Sequence, residues 1–124
     1  MNAADAVDCL RGIRAIIVED SFVVAESLES LLTSHGCEVI GKAANLLTGV
    51  PLAATADYDV AVLDVRLGEE LVGDVARAAQ ARGKRIVYLT GYSDLSLVPP
   101  ELSGYPVLPK PVRSEALIEA MRGS

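Results

Sequence analysis

The chain predicts an α/β fold, a doubly wound sheet of five parallel strands with helices on both faces. Three observations carry this. Short apolar runs alternate with amphipathic stretches along the whole chain, the pattern of successive βα units. The core has to be aliphatic, because 51% of residues are hydrophobic and only 4% aromatic. Finally, four separated apolar runs each stop on a polar residue: Ile16-Ile17-Val18-Glu19-Asp20, Val60-Ala61-Val62-Leu63-Asp64, Ile86-Val87-Tyr88-Leu89-Thr90 and Val107-Leu108-Pro109-Lys110. In an open parallel sheet, the carboxyl ends of the strands line one edge, and ligands bind there.

Residues 1–12 read as a lead-in, with one helical turn over 3–10, and residues 13–124 as one domain. Arg14–Val18 is a continuous apolar strand of the kind buried on both faces. The period then changes. Val24, Leu28, Leu31, Leu32 and His35 form a helical stripe, capped by Asp20 or Ser21 and ended by Gly36. His35 reads as a residue at the end of that helix rather than a base. Glu38–Ala43 is the second strand. A weaker helix covers 46–56, with Pro51 expected in its first turn. Val60–Asp64 is the third strand, followed by a loop over 65–70. Leu71, Val72, Val75, Ala76 and Ala79 make the next stripe, stopped by Gly83. Arg85–Thr90 is strand four. Ser93 or Asp94 starts a fourth helix that Pro99 and Pro100 cut short. Residues 105–108 form a short fifth strand. Pro109-Lys110-Pro111 is a stiff link, and Ser114–Arg122 is the last helix, with Leu117, Ile118 and Met121 inward.

Composition excludes several functions. A net charge of −6 with no basic stripe argues against nucleic-acid binding. No apolar run approaches a membrane span, and the acidic N-terminus lacks the basic start of a signal peptide, so a cytoplasmic protein is expected. Cys9 and Cys37 lack metal-ligand spacing and read as free thiols.

The strand ends point to phosphoryl transfer. Glu19, Asp20 and Asp64 at one sheet edge repel one another, and a hard divalent cation offsets that repulsion. Mg²⁺ takes oxygen ligands and keeps several waters, so one or two carboxylates with a backbone carbonyl suffice. Asp64, after an all-apolar strand, is placed as a carboxylate nucleophile. Lys110 supplies a point charge for phosphoryl oxygens and Thr90 a hydroxyl donor. Gly91 leaves the approach open.

With these residues in place, the chain resembles the receiver domain of two-component response regulators. The likeness covers residues 13–122. It rests on four motifs in order: Val18-Glu19-Asp20-Ser21 as the metal-binding acid pair, Val62-Leu63-Asp64 as the phosphoacceptor strand, Leu89-Thr90-Gly91, and Pro109-Lys110-Pro111. The resemblance implies a flavodoxin-like fold with strand order 2-1-3-4-5. It implies a phosphoryl group taken onto Asp64 from a phosphohistidine on a sensor histidine kinase or phosphotransfer protein, and Mg²⁺ held by Glu19, Asp20, Asp64 and the Arg66 backbone carbonyl. It also implies output through a downstream protein target or service as a phosphate sink, without a fused output domain. A monomer or weak homodimer would use the face of the fourth helix, fifth strand and fifth helix.

There are departures. The family often has Pro four residues after the phosphoacceptor, where this chain has Gly68. Its aromatic switch residue lies three residues before the Lys, where this chain has Val107. Tyr105 is offset by two, on the same strand face. Tyr92 follows Thr90-Gly91, as in a subset of single-domain receivers with a Thr-Gly-Tyr segment. The switch candidates are therefore Thr90, Tyr92, Tyr105 and Val107. Residues 92–104 are expected to move or order with the state of Asp64.

Rival readings fit less well. A flavin or nucleotide binder needs a glycine-rich loop after strand one, where Glu19-Asp20 stands. An aspartate-nucleophile phosphatase usually has a second Asp two residues on, where Arg66 stands. A pseudo-receiver scaffold would bind partners without phosphorylation, and the complete set Glu19, Asp20, Asp64, Thr90 and Lys110 argues against it.

Overall fold

The structure, a computed structural model, describes residues 8–91 and 95–123. Its strands are β1 (Arg14–Val18), β2 (Glu38–Ala43), β3 (Val60–Asp64), β4 (Arg66–Leu67), β5 (Glu70–Leu71), β6 (Arg85–Thr90) and β7 (Val107–Pro109). Its α-helices are α1 (Phe22–Ser34), α2 (Leu46–Thr55), α3 (Gly73–Ala81) and α4 (Ser114–Arg122). Five strands form one sheet in the order β2-β1-β3-β6-β7, all parallel. Counting only those five, the order is the expected 2-1-3-4-5.

Strand alternation divides the core between the two faces. Ile16, Val18, Ala61, Leu63, Ile86 and Tyr88 pack toward α2 and α3. Ala15, Ile17, Val60, Val62, Val87 and Leu89 pack toward α1 and α4. Every residue of β3 is buried, as a central parallel strand requires. Gly49 of α2 permits a close approach: a Cβ there would lie 3.2 Å from Val75 and 3.3 Å from Val18.

Several expectations are corrected. Residues 66–71 form the hairpin β4–β5 rather than a loop. Its two-residue connection opens with Gly68 at φ 61°, the conformation a type II′ turn places there. Leu71 belongs to this hairpin and is exposed, so it is not part of the α3 stripe. Pro51 is the sixth residue of α2 and not in its first turn. The fourth helix, expected to be short and irregular, is so: over the described residues it is two 3₁₀ turns, Leu95–Leu97 and Pro100–Leu102, and its expected start at Ser93 or Asp94 lies outside them. Two prolines leave too few amide donors for a longer α-helix. The face expected from the fourth helix, fifth strand and fifth helix is thus built from these turns, β7 and α4. The fifth strand begins at Val107 rather than 105, since Pro106 cannot donate to a ladder. The Lys110–Pro111 peptide bond is cis.

The lead-in is more than an appendage. Leu10 is fully buried among the residues under α1 and α4, and its amide donates to the His35 carbonyl at 2.8 Å. His35 caps α1, as the sequence indicates. Cys9 and Cys37 are free thiols.

Candidate phosphoryl-acceptor site

The ladder delivers the polar residues to one edge. Val18 pairs with Leu63 and Asp64 pairs with Leu89. Glu19-Asp20, Asp64 and Thr90 therefore leave three neighbouring strands at nearly one level. Lys110 follows β7, and its amide donates to the Thr90 carbonyl at 2.9 Å.

Glu19 and Asp64 are almost wholly buried, and Asp20 is exposed. One carboxylate oxygen from each of the three lies within 4.8 Å of the others. Lys110 Nζ bridges two of them, 2.7 Å from Asp64 Oδ2 and 3.0 Å from Glu19 Oε1. The Arg66 amide donates to Asp64 Oδ1 at 3.3 Å. A cleft of about 230 Å³, lined by Asp20, Asp64, Arg66, Gly68, Gly91 and Lys110, opens onto this group.

Backbone amides that no spacing rule reveals hold the acid pair. The Ser21 amide donates to Glu19 Oε2 at 3.0 Å, while the Ser21 hydroxyl accepts from the Val24 amide at the head of α1. The Gly68 amide donates to Asp20 Oδ2 at 2.8 Å. A proline at position 68 would lack that donor. The sequence signal for it is the glycine itself, at a position that needs positive φ.

The electrostatics are those of a crowded site. Burial pushes Glu19 up to about 7, against the Ser21 amide and Lys110, with Asp20 and Asp64 adding to the rise. Burial acts on Asp20 in the same sense, but the Glu19 carboxyl and the Gly68 amide outweigh it and hold Asp20 below its ordinary value. Burial would lower Lys110; the hydrogen bonds to Asp64 and Glu19 instead keep it raised and charged.

Of the expected set, Glu19, Asp20, Asp64, Lys110 and Arg66 meet at the cleft. Thr90 is buried beside it, with its hydroxyl donating to the Gly91 carbonyl at 3.0 Å rather than to a carboxylate. Tyr105 and Val107 pack on the same core face, away from the cleft. Tyr92 lies outside the described residues. Tyr88, not singled out from the sequence as a switch residue, is buried at the centre of β6.

Three comparisons bear on this arrangement. SilR, described as a probable transcriptional regulatory protein, of Salmonella typhimurium is 39% identical over 71 residues, 57% of this chain. The matched part is 31% of SilR, so the chain spans about a third of that curated relative. The solution structure of SdrG from Sphingomonas melonis Fr1 matches with a TM-score of 0.76 at 31% identity, over 88% of this chain and 92% of that one. The signal receiver domain of a modulated diguanylate cyclase from Desulfovibrio desulfuricans G20 matches with a TM-score of 0.79 at 25% identity, over 90% and 91%. The response regulator receiver domain family matches residues 15–122, nearly the whole length, and with five parallel strands converging on an acidic cleft this chain belongs to that family.

Proposed function

We propose that this receiver takes a phosphoryl group onto Asp64 from a phosphohistidine, with Mg²⁺ in the acidic cleft, and signals through protein contact. Receiver domains accept phosphoryl groups, interact with histidine kinases or phosphotransfer proteins, and generally bind Mg²⁺ at an acidic pocket. The observation that carries the reading here is Lys110 Nζ at 2.7 Å from the Asp64 carboxylate, at the mouth of a cleft that also presents Asp20.

The residues present fit the cation. Three hard oxygen donors cluster within its reach, and Glu19 is raised to about 7, by burial first, with Asp20 and Asp64 adding. Asp20, Asp64 and the Arg66 carbonyl would hold it directly, with Glu19 behind them. When bound, Mg²⁺ supplies charge neutralisation for the transferring phosphoryl oxygens.

The chain's own residues do the rest. One Asp64 oxygen attacks phosphorus as the P–N bond to the donor imidazole breaks. The bonding pair leaves with the imidazole nitrogen, which takes a proton from solvent. Lys110 meets the oxygens of the new acyl phosphate, its ammonium shifting from the carboxylate to the charge that replaces it. Thr90, freed from the Gly91 carbonyl, donates to a third oxygen. Output by protein contact or by draining phosphate from the kinase both follow from the same chemistry.

The test is intact mass after incubation with Mg²⁺ and a small acyl-phosphate donor. The parent should gain one phosphoryl group, and Asp64→Asn should gain none. No gain on the parent would leave only the scaffold reading.

A further inference from the structure

We infer that the Tyr88 hydroxyl is a latch that holds the segment 95–105 closed over α3, and so ties that segment to the strand carrying Thr90. The segment has little structure of its own. It consists of two 3₁₀ turns around Pro99 and Pro100, with local amide bonds from Leu102 to the Pro99 carbonyl and from Ser103 to the Pro100 carbonyl. Its attachment to the body is therefore made by side chains. Among the described residues, three side-chain hydrogen bonds join it to the body. Arg77 Nη2 meets Glu101 Oε1 at 3.3 Å, Gln80 Nε2 donates to the Glu101 carbonyl at 2.8 Å, and Tyr88 Oη donates to the Leu102 carbonyl at 2.8 Å. The first two are exposed and compete with water; only the Tyr88 bond is buried.

Leu102 is fully buried and Leu97, Val98 and Tyr105 pack against the core, so apolar burial holds the segment too. A buried carbonyl that loses its donor pays the desolvation of an unmatched acceptor, so among the polar contacts this one contributes most to closure. Burial, with Tyr105 adding, pushes the Tyr88 phenol up to about 12, which keeps it a donor under all working conditions. The Tyr105 ring meets Tyr88 edge-on at 6.1 Å and closes the far end of the segment onto the same residue. The seat beneath is imperfect. A void of about 10 Å³ remains between the segment and the body, lined by Val65, Val72, Ala76, Tyr88, Leu97 and Leu102 among others. Where side chains leave this space unfilled, contact is lost, so the seat favours closure less than a filled core would.

The position of the latch gives it a regulatory sense. Tyr88 and Thr90 point to the same side of β6, two residues apart. The Tyr88 amide donates to the Pro106 carbonyl and the Thr90 carbonyl accepts from Lys110, so both ends of the link are bonded to one short stretch of strand. The place where the family keeps its aromatic switch is here Val107, which pairs with Tyr88 in the ladder. The hydroxyl of Tyr88 thus provides the connection from site to segment that Val107 cannot. Opening would uncover Val65, Val72 and Ala76, apolar residues that are buried in the closed state.

The test is amide hydrogen exchange of Tyr88→Phe, which keeps the ring and removes the donor. A peptide spanning residues 95–105 should exchange about tenfold faster than in the parent, equivalent to ~1.4 kcal/mol. Peptides from β1 and β3 should be unchanged. Arg77→Ala, which removes an exposed pair, is the comparator and should change the same peptide by less than about twofold. Exchange in Tyr88→Phe within about twofold of the parent, or an equal acceleration in β3 that marks global loosening, would overturn the inference. The regulatory sense rests on the phosphoryl-acceptor reading, but the exchange test uses unmodified protein, so either can fail alone.

Discussion

Lys110 and Glu19 carry opposite burdens in the same cleft. Lys110 compensates two buried carboxylates at once, with its own side chain about a third exposed. Removing one partner of a buried ion pair leaves the other uncompensated. Lys110→Ala is therefore expected to lower metal-free stability by about 2 kcal/mol, less than for a fully enclosed pair. Denaturant unfolding in a chelator measures this, and added Mg²⁺ should recover most of the loss. Glu19 sets the pH response. Its folded value of about 7 stands above the ordinary 4.5, so between those values the folded state holds more protons than the unfolded one. Metal-free stability should then fall as pH rises from 4.5 through 7. Thermal melts across that range, parent against Glu19→Gln, check the sign: the parent declines and the variant is flatter.

At the scale of elements, the strands and the long helices are legible because each has a single dominant cause. β3 is a pure apolar run ended by Asp64, and α1 and α4 have clean stripes with recognisable ends. What escapes the sequence is set by tertiary partners. The β4–β5 hairpin has two residues per strand and is fixed from outside, by Asp20 on the Gly68 amide and by Glu70 Oε1 accepting from the Leu46 amide. Leu71 fits a helical period by coincidence. The acid pair, Asp64 and Lys110 were readable because strand ends share one edge. The amides that aim those side chains were not, because a backbone donor leaves no mark on residue type. Pro51 is the clearest local conflict. It sits inside α2, where its missing donor would have met the Leu47 carbonyl, yet α2 persists because Gly49 and Ala53 are buried against the sheet and α3. Pro51 is itself exposed, so Pro51→Ala adds a helix bond without repacking. It should raise stability by about 1–2 kcal/mol, the interior proline penalty less the unfolded-state entropy that proline removes. Equilibrium unfolding would show the gain as a higher midpoint at constant slope.

The described residues form two apolar layers clamped on one sheet, with three clustered carboxylates at the sheet's carboxyl edge. A ligand that binds only the folded arrangement of Glu19, Asp20 and Asp64 stabilises all of it. At a Mg²⁺ concentration 100 times its dissociation constant the gain is about 2.7 kcal/mol, which for a domain of this size is a rise of roughly 10 °C in Tm. A thermal scan with and without Mg²⁺ should show that rise in the parent and lose it in Asp20→Asn/Asp64→Asn. The opposite edge of the sheet is held by contacts of its own, and a cooperative unit passes the gain on to them as well. Arg14 binds Asp57 and Asp59 at the opposite edge, and Arg82 Nη1 closes the end of α2 on the Ala53 and Ala56 carbonyls.

The edge-on pair of Tyr88 and Tyr105 has an optical consequence. The chain contains four tyrosines and no tryptophan, so its near-ultraviolet spectrum is a tyrosine spectrum. Two phenol rings 6.1 Å apart and inclined at 75° couple their transition dipoles in a fixed chiral arrangement. That coupling gives a circular dichroism band without any dye or engineered probe. Displacement of residue 105 from residue 88 would diminish the band while the far-ultraviolet signal of the helices stays constant. The protein therefore carries its own chromophore pair at the point where the segment joins the sheet.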